Sequence, residues 1–582
     1  MTHQREASSV SANPGTPTGQ RKWRDEHRET IAPGVGEGAP AWSFVASSCI
    51  RRLAQHQDKI AAKGYTMRSP VLFLVFAAAL FGQGGGSVQF RDWNPPPPSA
   101  EPVTTCGHLL SLTDFDLSVI SATLVPPTAS APEHCHVFLM AQPEINIEIN
   151  LPTNWNGRFY MFGNGGWAGE SFDAPGRVAN HARALRAGFA TASTDTGHSA
   201  ALEPGASFAL NRQKLLDFGF RSLHVTAVAA KLLVRNYYGA NPSKSYYDGC
   251  SQGGREGLTI AQRFPDDFDG IIAGSPALYN SGNMVARAYW MQGLIANPFP
   301  AAKLGLLAAR VYEKCDAKDG LKDGLIGDPL HCGFKATQDL PRCSDGNDQP
   351  DCFTASEIAS VDRIYSDIFR QGKRFFPGWP VGAEVLGPNG RSGWLGQEIS
   401  GPNGGSVWAN YAQSFFRYMA MPDADPSQSL AHFDIDKDIS RLAFLHEVID
   451  ATDSDLSGFR QRGGKLIMYF GWADPQLNPR VAVEYYDQVV KRMGDSTPDF
   501  FRLFMVPGMF HCGGGIGTST FDVATPLLHW VESGDAPNAI SASRVSGGKV
   551  VRTRPLCPYP QMARYKGSGS IDEAANFSCA AR

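Results

Sequence analysis

Five residues near the middle of the chain, Gly249-Cys250-Ser251-Gln252-Gly253, constrain its fold more than any other feature. A Gly-x-Ser-x-Gly spacing exposes a serine hydroxyl on a strained turn, and that turn works only between a strand and a helix. Tyr246-Tyr247 reads as the strand and residues 254–264 as the helix. The pattern alone is weak, since ordinary glycine-rich turns produce it by chance. It occurs once here, in the required context.

The flanking sequence supplies the rest of a sheet. Residues 145–151 alternate apolar and polar as a half-exposed strand, Arg158–Phe162 reads as a buried strand ending in glycines, and 187–192 as another. A long helix is expected over 215–237, and Gly270–Gly274 is a short buried strand. The rhythm stops near Ala277, resumes with a strand over 465–470 and a helix from Val481, and closes with a strand over Phe501–Val506 and a helix over 524–532. Such alternation predicts an α/β protein, a parallel sheet with helices on both faces. The 582 residues exceed one compact core. The glycine-, proline- and tryptophan-rich stretch 278–455 therefore reads as an insertion into a core formed by 90–277 and 456–582.

A serine hydroxyl needs a base. In the α/β-hydrolase arrangement the partners follow in the order serine, acid, histidine. Asp474 stands just past the 465–470 strand and His511 in a glycine-rich loop after Phe501–Val506. The bland alternatives are a turn-forming aspartate before Pro475 and a structural loop histidine. An oxyanion hole needs two backbone amides; Gln252 is one and Gly166, in the loop Gly163-Asn164-Gly165-Gly166, is the other. The reading is thus an α/β-hydrolase with Ser251 as nucleophile, His511 as base and Asp474 orienting it.

Charge is nearly balanced, 53 basic against 56 acidic residues, with no basic stripe for nucleic acid. The first 66 residues are polar and irregular. Met67-Arg68 then leads into an apolar run over 71–81, too short to span a bilayer and matching a signal peptide. Residues 1–66 read as a non-native or disordered extension and 67–86 as the signal; a disordered tail before a membrane-associated helix is the alternative. Ten cysteines follow, an even set that reads as disulfides in an oxidising compartment, hence a secreted or periplasmic protein without a stable membrane anchor. Asp316, Asp319 and Asp323, spaced by glycines, suit a hard cation with oxygen ligands. The spacing is not that of an EF-hand, and a solvated acidic turn is the competing reading.

Cys250-Ser251, Asp474 and His511-Cys512 together resemble the CS-D-HC pattern of the tannase and feruloyl esterase family. The likeness runs through nearly the whole chain after Cys106, including Trp155-Asn156-Gly157-Arg158-Phe159, residues 249–257, Val506-Pro507-Gly508-Met509, 554–560 and 563–569. It implies disulfides Cys250–Cys512, Cys106–Cys135, Cys315–Cys332, Cys343–Cys352 and Cys557–Cys579. It implies a structural Ca²⁺ held by Asp316, Asp319 and Asp323 with the Leu321 and Leu325 carbonyls, and no organic cofactor. It also implies that 278–455 is a lid, whose Trp394, Trp408, Tyr411, Phe415 and Phe416 either wall an aromatic acyl site or form lid core. Family members acting on terephthalate monoesters hold the substrate carboxylate with a lid arginine. Residues 403–412 contain none, the nearest fits being Ser406 and its neighbours. The expected activity is therefore hydrolysis of a small aromatic ester of feruloyl type. Tannase and terephthalate-monoester hydrolase are the alternatives, and an inactive phenol- or carbohydrate-binding protein is the reading from another class. The sequence does not reveal an oligomeric state.

Overall fold

Nine strands form one mixed sheet. They are β1 Leu117–Val125, β2 His134–Ala141, β3 Ile145–Pro152, β4 Arg158–Phe162, β5 Ala190–Thr194, β6 Lys244–Cys250, β7 Gly270–Gly274, β8 Lys465–Gly471 and β9 Phe501–Val506. Their spatial order is β1-β2-β3-β5-β4-β6-β7-β8-β9. The first three strands and β5 pair antiparallel; from β5 onward every pairing is parallel. A computed structural model of the chain describes residues 90–94, 96–344, 347–384, 393–394, 406–421 and 433–581. The expected signal peptide and extension lie outside the described residues.

Alternate side chains of each central strand enter different cores, as the two-residue repeat of a strand requires. Phe159 and Met161 join one apolar cluster, with Leu258 and Ile260 of α3 (Gln252–Arg263) and Val483 of α4 (Pro479–Met493). Tyr160 and Phe162 join the opposite one, with Ala184 of α1 (Pro175–Arg186) and Leu527 and Trp530 of α5 (Ala524–Ser533). Leu223 and Leu233 of α2 (Ser222–Tyr238) pack on the first face. Helices thus cover both faces, as the sequence rhythm implies.

Three local expectations differ from the structure. The polar side of β3 is not open to solvent, because α1 covers it: Glu148 accepts from His136 at 3.0 Å and lies 3.5 Å from His181. β5 begins at Ala190, since Gly188 turns at φ 83° and its carbonyl accepts from Asn156 at 2.9 Å. The long helix is broken by a π turn over Asp217–Arg221, whose freed Phe218 and Gly219 carbonyls accept from Arg255 at 3.0 and 2.8 Å.

The insertion packs into a third apolar cluster, which also takes in Trp167, Phe208, Leu215 and Phe218 from the preceding chain. Trp290, Trp379, Trp394 and Trp408 are all wholly buried in it. Trp379 and Trp408 stack at 4.8 Å, and Trp290 lies 5.1 and 5.4 Å from them. Of the five aromatic residues that the sequence offers as wall or core, Trp394, Trp408 and Phe415 are core at 0% exposure, and Phe416 packs on Phe433. Tyr411 alone is only partly buried. Trp379 donates to the Asp474 carbonyl at 3.0 Å and Trp408 to the Pro475 carbonyl at 2.9 Å. Asn478 donates back to the Pro377 and Gly378 carbonyls. The insertion is therefore bolted to the loop carrying Asp474. No helix among the described residues is long and apolar enough to cross a membrane.

Replacing Trp408 with Phe keeps an aromatic ring but removes the indole N–H and strands the buried Pro475 carbonyl. The expected loss is about 1–3 kcal/mol of stability, read as a lower urea midpoint with an unchanged slope.

Candidate active site

Ser251 sits where β6 turns into α3, at φ 65° and ψ −118°. A non-glycine residue in that region is strained and persists only when its surroundings hold it. They do so by close backbone approach. A Cβ on Gly249 would stand 2.6 Å from the Gly253 carbonyl; one on Gly254 would stand 2.3 Å from the Gly274 oxygen. The Ser251 amide donates to the Gly274 carbonyl at 2.9 Å, and the Ser251 carbonyl accepts from Ala277 at 3.0 Å. Gln252 opens α3, where backbone amides lack intrahelical partners and the helix dipole favours negative charge.

The second amide-bearing loop, Gly163 to Gly166, is held by a buried polar network. Every polar atom of Asn164 is used. Its amide donates to Glu256 Oε2 at 3.1 Å, and its Nδ2 to both Glu256 oxygens at 3.2 Å. Its Oδ1 accepts from Arg177 at 2.6 Å, and its carbonyl accepts from Gly253 at 2.7 Å. Tyr247 donates to Glu256 at 2.8 Å. Burial raises the Glu256 carboxyl above its ordinary range, against the Arg255 charge and the bonds from Tyr247 and Asn164. At the far end of the loop, His198 Nε2 meets the Trp167 carbonyl at 3.0 Å. Burial lowers His198 to about 4, so a neutral ring does this.

Asp474 is wholly buried at the end of β8. Its Oδ1 accepts from the Gln476 and Leu477 amides at 2.8 and 3.0 Å, and its Oδ2 meets His511 Nδ1 at 2.8 Å. Gly471 lets the two loops touch: a Cβ there would lie 2.2 Å from the Met509 carbonyl. The Cys250–Cys512 disulfide, Cα–Cα 6.0 Å, then ties the residue before Ser251 to the residue after His511. The other four bridges join Cys106–Cys135, Cys315–Cys332, Cys343–Cys352 and Cys557–Cys579. A Cβ on Gly166, at φ 55°, would meet the Tyr411 hydroxyl at 3.0 Å, and Trp167 lies 5.4 Å from the Tyr411 ring. Arg287 lies 5.1 Å over the same ring and donates to the Gln476 carbonyl.

The structure thus joins Asp474 to His511 directly, ties the His511 loop to the Ser251 turn through the Cys250–Cys512 bridge, and ties the Gly163–Gly166 loop to that turn through Gly253. Sequence reasoning placed Asn164 in the glycine loop and Tyr247 in the strand but missed their polar roles, and it assigned none to Arg177, Glu256, His198 or Arg287. Asn164 and Glu256 are 92 residues apart, so no local spacing announces their pairing. Glu256, five residues past Ser251 on α3, lies in the 249–257 stretch that carries the family likeness, the one place where the sequence marks this network.

The acidic loop is organised by its own backbone. Asp316 Oδ1 accepts from the Asp323 and Gly324 amides at 3.1 Å, Asp319 from Leu321 and Gly327, and Asp323 Oδ1 from Leu325. Burial, with Asp323 and Asp316 adding, pushes Asp319 up to about 6. Arg554 donates to Asp323 Oδ2 at 2.5 Å. Among the described residues, no group of three or more His, Cys, Asp or Glu is placed to hold a metal ion.

The fold is that of the α/β-hydrolases, and the chain is a carboxylic ester hydrolase. It belongs to the tannase and feruloyl esterase family, whose model matches residues 130–580. It is 36% identical over 527 residues to the mono(2-hydroxyethyl) terephthalate hydrolase of Piscinibacter sakaiensis, covering 78% of this chain and 87% of that one. It is 30% identical over 563 residues to a probable feruloyl esterase of Arthroderma benhamiae, covering 88% and 98%. The crystal structure of feruloyl esterase B from Aspergillus oryzae superposes with a TM-score of 0.70 at 28% identity, covering 81% and 98%.

Asn164→Ala frees the glycine loop without touching the serine. The expected result is a fall in kcat of about tenfold or more with KM nearly unmoved, because a loop amide stabilises charge that exists only in the transition state.

Proposed function

We propose that this chain is a secreted esterase cleaving aromatic-acid esters of feruloyl type through Ser251, His511 and Asp474. The observation that carries the reading is the 2.8 Å contact between Asp474 and His511, on a histidine fixed by the Cys250–Cys512 bridge beside the strained Ser251. With Nδ1–H given to the buried carboxylate, His511 keeps its Nε2 lone pair for the serine proton. Ser251 Oγ attacks the ester carbonyl while that proton passes to Nε2. The Gln252 and Gly166 amides receive the oxyanion. The C–O bond to the alcohol breaks, the alcohol takes the proton from Nε2, and an acyl-enzyme remains. Water then attacks, giving its proton to Nε2, and Ser251 leaves with that proton as the acid is released. Tyr411 and Trp167 beside Gly166 supply an aromatic flank for the acyl ring.

A second reading, hydrolysis of a terephthalate monoester, is favoured by Arg287 over the Tyr411 ring, which offers a guanidinium from an element outside 403–412. The experiment that separates them is a comparison of kcat/KM on methyl ferulate, methyl gallate and a terephthalate monoester, with methyl ferulate expected highest. A fluorophosphonate probe should label Ser251, and Ser251→Ala should lower kcat by about a million-fold. Labelling elsewhere, or none, would remove the serine mechanism.

We further propose that the 316–325 loop takes a structural calcium ion on Asp316, Asp319 and Asp323 and the Leu321 and Leu325 carbonyls. Three carboxylates on one turn suit a hard cation, and bound Ca²⁺ would add to the charge neutralisation that Arg554 and Arg552 supply to Asp323 in this structure. A chelator is expected to lower Tm by several degrees, with recovery on added Ca²⁺. An unchanged Tm would leave the loop to Arg552, Arg554 and Arg564 and would count against the ion. The export route rests on the apolar run over 71–81 and the five disulfides.

A further inference from the structure

We infer that Asn283, assisted by Asn280, reads a hydroxyl group on the acyl ring of the substrate; this rests on the aromatic-ester reading above. The helix Asn280–Ala296 starts shortly after β7, and the intervening chain is bonded to the nucleophile turn through Ser251–Gly274 and Ala277–Ser251. Asn280, Asn283, Arg287 and Trp290 follow helical spacing and share one face. The far end of that face is located by its contacts. Arg287 reaches the Gln476 carbonyl and the Tyr411 ring. Trp290 packs on Trp379 and Trp408, which bond the Asp474 and Pro475 carbonyls. Asn280 and Asn283 therefore occupy the stretch between the nucleophile turn and the acid loop, where the acyl group of an ester on Ser251 must lie.

Both asparagines are 4% exposed. Among the described residues, neither amide atom of Asn283 has a hydrogen-bond partner, and neither does Oδ1 of Asn280. Burying an amide unpaired is unfavourable, and native proteins rarely do it. Two on successive turns of one face, beside the reacting residues, mark a place for a ligand's polar group. The atoms decide which group. Two carbonyl oxygens need a donor, which a carboxylate lacks. A phenolic hydroxyl donates to one oxygen and accepts from Asn283 Nδ2. The site thus fits a hydroxylated aromatic acyl group and disfavours a terephthalate.

The test uses Asn283→Leu in the full-length protein, with methyl 4-hydroxycinnamate and methyl cinnamate as paired substrates. The ratio of their kcat/KM values is expected to fall about tenfold or more, since a site that bonds a substrate hydroxyl discriminates strongly against its absence. Tm should hold or rise, because an unpaired buried amide has gone. Asn280→Leu should shift the ratio the same way by less, and stands in if the first variant does not fold. An unchanged ratio, or a lower Tm with equal loss on both esters, overturns the inference. Wild-type protein cleaving both esters equally overturns it while leaving the aromatic-ester reading intact. Wild-type protein cleaving 4-nitrophenyl acetate but neither cinnamate removes both.

Discussion

The chemistry of this protein depends on one close backbone contact, the packing of β6, α3 and the glycine loop without side chains between them. Gly253 shows the constraint from both directions: a Cβ there would press on the Asn164 carbonyl at 2.9 Å, and a Cβ on Gly163 would press on Gly253 Cα at 2.9 Å. Only with both bare can the Gly253 amide reach the Asn164 carbonyl at 2.7 Å. That bond sets the distance between the loop of Gly166 and the turn of Ser251. The strained dihedrals of Ser251 follow, because the chain must reverse within the width of a glycine. The Cys250–Cys512 bridge extends the same fixed frame to His511.

The insertion belongs to this frame. A lid that merely covers a site could be removed without moving the acid. Here Trp379 and Trp408 bond the Asp474 and Pro475 carbonyls, Arg287 bonds the next one, and Asn478 returns two bonds to 377–378. The position of the carboxylate that orients His511 therefore depends on the packing of the tryptophan core. The four tryptophans spend their ring area on that core and two of their N–H groups on the acid loop, which is why they are unavailable as a substrate wall. Tyr411, one turn beyond Trp408, points its hydroxyl the other way, to Gly166.

What the sequence makes legible is whatever repeats or is local. The serine turn, the apolar strands Arg158–Phe162, Gly270–Gly274 and Phe501–Val506, and the chain order of Ser251, Asp474 and His511 all announce themselves through spacing and context. What it hides is whatever depends on residues meeting from afar. The start of β5 is set by Gly188 packing against Asn156, and the π turn at 217–221 by Arg255. The polar face of β3 reads as solvent-facing because nothing in 145–151 reveals that α1 will lie on it. Arg287 escapes a search of 403–412 because it approaches Tyr411 from a helix more than a hundred residues earlier.

Arg255 and Glu256 show why such hidden contacts concentrate on α3. They are adjacent, wholly buried and opposite in charge, yet they do not simply neutralise each other. Arg255 points to the Phe218 and Gly219 carbonyls and the Gln252 side chain; Glu256 points to Asn164 and Tyr247. Two apolar residues would fill the space without the desolvation cost. They could not fix the direction of two separate backbone segments, which needs several bonds from each ion. Through Arg255, α3 positions the π turn whose Phe218 lies 6.2 Å from Trp167; through Glu256, it positions the loop on which Trp167 stands. The helix capped by Ser251 thereby fixes both supports of Trp167. What the two ions add over apolar residues is direction: each holds a separate backbone segment against α3.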